Sequence, residues 1–162
     1  MTSTDITNDA AESMTDRRVI EARIPHRAPF LFLDRIIEES EESIRCEWRV
    51  PVDADWMRGH YPGQPILPGV LLSEHTFQTA ACLISARLQG LDDQGVPVLT
   101  KIESARFKRM ISPGELVSTT ATVRERVGPA WYMGAKVECE GATALRIQFV
   151  LAATGAMERA RV

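Results

Sequence analysis

Little in this chain points to disulfide, metal or nucleotide chemistry. Its 162 residues include only three cysteines and three histidines. Cys46, Cys82 and Cys139 are widely spaced and odd in number, which gives neither a disulfide framework nor CxxC metal spacing. Reduced thiols in a cytoplasmic protein are the simplest expectation. His26, His60 and His75 form no recognised ligand cluster, so no metal is expected. There is no glycine-rich phosphate loop, so no nucleotide cofactor is expected either. Neither charge sign dominates: a net charge of −3 gives no global attraction to nucleic acid or anionic lipid. No apolar run reaches the length of a membrane span. The first residues, MTSTDITNDAAESMTDRR, lack the apolar core of a secretory signal.

What is present suits one globular domain, with 44% apolar and 25% charged residues. Residues 1–18 are polar and are expected to form a disordered extension, which leaves 19–162 as the domain. Arg17 to Arg23 reads as a short helix or turn. The run FLFLDRII, Phe30 to Ile37, is rich in β-formers. From Glu42 to Pro51, Ile44, Cys46, Trp48 and Val50 alternate with polar residues, the period of a half-buried strand. These two runs predict a hairpin. Asp55 to Arg58 fits a single helical turn.

The one long helix is expected from Val70 to Leu88. It is apolar or small on nearly every face until Arg87, the pattern of a helix buried all round. Gly90 suits its C-terminal stop. Four β-runs follow: Val96 to Met110, Glu115 to Val127, and two more divided at Gly141. The turns SPGE and Gly128-Pro129 punctuate them. Two strands, one buried helix and about four antiparallel strands predict an α+β fold, with a curved antiparallel sheet wrapped round a central helix.

The chemistry concentrates in GHYPGQPILPGVLLSEHTFQ, Gly59 to Gln78. Alternating proline and glycine make a stiff, tightly turned loop that can hold His60 in one place. Pro68 and Gly69 stand where a helix begins, and free N–H groups there can hold an oxyanion. Glu74 follows His60 by fourteen residues, inside the apolar helix. Base, acid and oxyanion site within one short stretch suit proton chemistry beside a carbonyl.

Three segments carry a family likeness. IPHRAPFLFLDRI, GHYPGQPILPGVLLSE and ARFKRMISPGE, taken together, resemble the 3-hydroxyacyl-[acyl-carrier-protein] dehydratases of bacterial fatty acid synthesis, which have the hot-dog fold. The likeness runs from about residue 19 to 154, and its middle segment is the most specific. It implies dehydration of a 3-hydroxyacyl thioester, on acyl carrier protein or CoA, to the trans-2-enoyl thioester, with no cofactor. His60 would take the C2 proton, as a histidine near neutrality can. Glu74, kept protonated by burial, would protonate the departing hydroxyl. The backbone N–H of Gly69 matches the oxyanion donor, and Gln78, one turn on, can orient the Glu74 carboxyl. The resemblance also implies a homodimer with His60 of one subunit facing Glu74 of the other, and it leaves a trimer of dimers open.

Other residues are weighed against plainer roles. His26 is read as structural. Arg106, Lys108 and Arg109 are either a docking patch for the acidic carrier or a solvated strand face. His75 and Phe77 are larger than the small side chains usual in the family. They are candidates for narrowing a substrate tunnel, against core packing for Phe77 and a bond to a backbone carbonyl or a subunit contact for His75. Two other functions stand beside the dehydratase: a hot-dog acyl thioesterase, and a non-catalytic subunit that binds acyl chains.

Overall fold

The alternation of residues 43–50 does what its period requires. In β2 (Ser43–Arg49), Ile44, Cys46 and Trp48 are buried while their neighbours face outward. β2 pairs antiparallel with β1 (Arg35–Glu39), forming the expected hairpin. The computed structural model describes residues 17–89 and 95–153. The expected extension therefore lies outside the described residues up to residue 16, as does Gly90. Residues 17–23 form a helix, α1, anchored by the buried Ile20, so the folded body takes in Arg17 and Arg18.

A short helix, α2 (Asp55–Gly59), precedes the proline-glycine loop, and α3 (Gly69–Leu88) follows it. Every residue of α3 from His75 to Ile84 is buried, as its lack of a polar stripe predicts. β3 (Pro97–Phe107), β4 (Leu116–Val127), β5 (Ala130–Cys139) and β6 (Ala142–Ala153) complete one antiparallel sheet, ordered β1-β2-β4-β5-β6-β3. The β5–β6 hairpin closes through Glu140 and Gly141, both at positive φ, in a two-residue loop matched to the twist of the strands. The inner face of the sheet, with Val117, Met133, Val137, Ile147 and Phe149, packs round α3. This is the hot-dog arrangement.

One feature departs from the sequence reading. The run Phe30 to Ile37 enters the sheet only at Arg35. Leu31, Phe32 and Leu33 are buried but lie outside the ladder. The backbone groups of Phe32 are taken instead by side chains of α3: its N–H donates to Gln78 Oε1 at 2.9 Å, and its carbonyl accepts from His75 Nδ1 at 2.7 Å. In the sheet, β3 does not neighbour β4. It crosses to the far edge beside β6 and lies exposed along most of its length.

His75 is fully buried and packs on Trp48 at 5.6 Å between ring centroids. A carbonyl cannot donate, so Nδ1 carries the ring proton, and Nε2 is left buried without a partner. Burial pushes the pKa of His75 down to about 4. The unfolded chain, with an ordinary histidine near 6.5, therefore binds a proton that the folded chain refuses between those values. The stability from this group is complete above about pH 6.5 and is lost as pH falls toward about 4, by roughly 3 kcal/mol in all. In urea unfolding across this range, wild type should lose more stability than His75→Asn, which keeps a donor for Phe32 but does not titrate. Parallel pH profiles for the two proteins would count against it.

Candidate active site

The loop from Gly59 to Pro68 fixes His60 by its backbone. Tyr61 takes a left-handed φ of 53°, rare for a non-glycine residue, and packs its ring edge-on against His60 at 4.6 Å. The loop is pinned at its far end by Leu67 N–H donating to the Ile111 carbonyl at 2.7 Å. His60 Nδ1 lies 2.9 Å from the Ile66 carbonyl. In the neutral ring the proton must therefore sit on Nδ1, which leaves Nε2 as a free acceptor. That is the tautomer a general base needs.

Pro68 then opens α3, and no side chain caps the helix N-terminus. Gly69 is the first helical residue, and the ring of Phe107 on β3 lies against it. A Cβ at this position would come within 3.0 Å of Phe107 Cε1. Glycine thus lets the helix start approach the C-terminal end of β3. It also keeps the uncapped N–H groups clear of a side chain, suited to a developing negative charge.

Glu74 sits further along α3 and lines an apolar cavity of about 280 Å³. Phe77, Leu99 and Leu151 line the cavity, together with Gln78 and His26. Gln78 Nε2 donates to Glu74 Oε1 at 3.0 Å and reaches the Phe30 carbonyl at 3.2 Å. Its own oxygen takes the Phe32 N–H, so the amide is held from three sides and orients the carboxyl group. His26 Nε2 stands 3.5 Å from the same Glu74 oxygen. Reading His26 as structural alone missed this. The residue lies far from Glu74 in sequence, and the only local signal was the PHR of the opening segment.

The remaining candidates separate. Phe77 lines the cavity and also packs edge-on against Phe149 at 4.9 Å. His75 points away from the cavity, toward Phe32 and Trp48. His60 does not line the cavity that holds Glu74 within one protomer. Of the three cations considered for docking, Arg109 is engaged by Glu115 and Glu140. Lys108 is exposed. Arg106 faces Arg146 across the β3–β6 ladder, and Arg146 faces Lys136 across β5–β6. These three border an open depression of about 700 Å³ on the outer face of the sheet. Strand register assembles this basic row, and no local sequence signal announces it. Among the described residues no group of three or more His, Cys, Asp or Glu side chains is arranged to hold a metal, and no helix is long and apolar enough to cross a membrane.

Comparison with known proteins fits this geometry. The model of the ApeI-like family, described as ApeI dehydratase, matches residues 36–143. The 3-hydroxyacyl-[acyl-carrier-protein] dehydratase FabZ of Cereibacter sphaeroides is 35% identical over 148 residues, covering 87% of this chain and 93% of that protein. FabZ of Rickettsia felis is 35% identical over 127 residues, covering 78% and 87%. Among solved structures, the dehydratase heterocomplex ApeI:P of Xenorhabdus doucetiae superposes with a TM-score of 0.72 at 15% identity, covering 88% of this chain and 97% of that one, a likeness of fold alone. The PaaI protein of E. coli, with a TM-score of 0.57 at 14% identity and coverage of 93% and 99%, shares the fold in the same sense. By its matches of sequence over most of its length, this chain belongs to the hot-dog dehydratases, the family of 3-hydroxyacyl-[acyl-carrier-protein] dehydratases.

Proposed function

We propose that this protein is the dehydratase that removes water from 3-hydroxyacyl thioesters in fatty acid synthesis, with His60 as base and Glu74 as acid. His60 Nε2 takes the proton from C2. The C3–O bond breaks, and the oxygen leaves as water with the proton of Glu74. The thioester carbonyl, which gains negative charge, sits at the N–H of Gly69. The apolar cavity receives the acyl chain, at about 0.8 kcal/mol for each methylene buried.

The observation that carries this reading is the division of the machinery between the two ends of β3. Gly69 contacts Phe107 at its C-terminal end, and the His60 loop is tied to Ile111 just beyond. The cavity with Glu74 opens on Pro97, Val98 and Leu99 at its N-terminal end. β3 is an edge strand with Ile102 exposed at its centre. Such an edge invites pairing with another chain. Antiparallel pairing of two copies about Ile102 would bring His60 of one opposite Glu74 of the other. We therefore take the active unit to be a homodimer, with a trimer of dimers as a larger assembly. Arg106 and Lys108, with Arg146, are the part of the basic surface left to meet an acidic acyl carrier protein, since Lys136 is paired with Glu138. The three free thiols are all buried, and burial raises that of Cys46 to about 12, which suits a cytoplasmic enzyme with reduced cysteines.

Three expectations test this reading. His60→Ala and Glu74→Ala should each lose about 10²- to 10⁴-fold in turnover while remaining folded, followed by enoyl absorbance on a panel of 3-hydroxyacyl thioesters that varies chain length and carrier. Near-normal turnover in either variant would remove that residue from the mechanism, and release of free thiol instead would mark a thioesterase. Mixing the two inactive variants under conditions of subunit exchange should restore part of the activity, since a mixed dimer holds one intact site. No recovery in verified mixed dimers would mean the site is not shared. Phe77→Ala should raise the ratio of kcat/KM for long over short chains by opening the cavity beside Glu74. An unchanged ratio in a folded variant would make Phe77 core packing only.

A further inference from the structure

The residue left over by this account is His26. Its Nε2 lies 3.5 Å from Glu74 Oε1, the oxygen that also accepts from Gln78 Nε2 at 3.0 Å. Glu74 Oε2 has no hydrogen-bond partner among the described residues. His26 Nδ1 is buried and has no partner. The ring leans on Phe30 at 6.3 Å between centroids. The Arg27 guanidinium ties its backbone down, bonding the carbonyls of His26, Ile24 and Glu21. With its backbone fixed, one ring nitrogen toward the Glu74 carboxyl group and the other toward nothing, the ring is placed for Glu74.

We infer that His26 is a positioning residue for Glu74: with Gln78 it engages one carboxyl oxygen as acceptor and so leaves the acid proton to the other, Oε2. In the neutral ring the proton belongs on Nε2, the nitrogen facing an acceptor. Two N–H groups then converge on Oε1, which accepts them better as the carbonyl oxygen of the acid than as its hydroxyl. The acid proton is thereby favoured on Oε2. When Glu74 gives that proton to the leaving hydroxyl, charge grows on the carboxylate, and the Nε2–H···Oε1 contact strengthens as it does. An interaction that gains strength during the reaction raises kcat more than it lowers KM. The separation is long for a hydrogen bond in the resting protein, as catalytic contacts often are before substrate binds.

The inference rests on the dehydratase reading, so its test has a readout independent of turnover. His26→Phe keeps the ring but removes the donor, and His26→Gln places an amide N–H near the position of Nε2. If wild type dehydrates 3-hydroxyacyl thioesters, His26→Phe should lose on the order of 10- to 10²-fold in kcat with KM little changed. His26→Gln should recover most of that loss at equal thermal stability. Full activity in His26→Phe, or equal losses in both variants alongside equal destabilisation, would overturn the inference. Nitrogen–proton correlation spectra of the three histidine rings give the second readout. The His26 signal should report the Nε2–H tautomer and shift in Glu74→Gln. A proton on Nδ1, or a signal indifferent to Glu74→Gln, would overturn it even if wild type proved to have another activity. Absence of dehydration with the expected spectra would overturn the dehydratase reading and leave the His26–Glu74 pairing standing.

Discussion

The structure depends on how one buried helix satisfies its own polar side chains. α3 passes through the centre of the molecule, where water cannot solvate His75 or Gln78. Both find partners on the backbone of Phe32, one on its carbonyl and one on its N–H. A buried polar group without a partner costs about 1–3 kcal/mol, so helix and opening segment hold each other in register. The same bonds explain why residues 30–34 run extended beside the helix yet stay outside the sheet.

Gln78 carries this constraint into the site. Its oxygen is committed to Phe32, which turns its nitrogen toward Phe30 and Glu74. The carboxyl group is thus held by the packing of the opening segment as much as by the helix that bears it. Burial of Phe32 against Trp48 stiffens the support further, at 5.1 Å between ring centroids.

The second constraint is the crossover of β3. Placing this strand at the sheet edge leaves Leu99, Ile102 and Phe107 exposed. It also puts the His60 loop and the Glu74 cavity at opposite ends of that edge. In the proposed homodimer, pairing along this edge is what would bring the two together.

The sequence alone was enough for most of the elements and for the family likeness. Periodicity marked β2 and the buried α3, turn residues marked the β-hairpins, and the proline-glycine loop marked His60 and the helix start. These are local signals, set by backbone preference and by burial of every second or every third to fourth residue. Strand order, the row of Arg106, Arg146 and Lys136, the bonds of Phe32 to α3, and the place of His26 beside Glu74 were decided by the tertiary structure. Each depends on residues distant in sequence that meet only when the sheet closes round the helix. No local pattern records that meeting, because the free energy that selects it belongs to the packed whole.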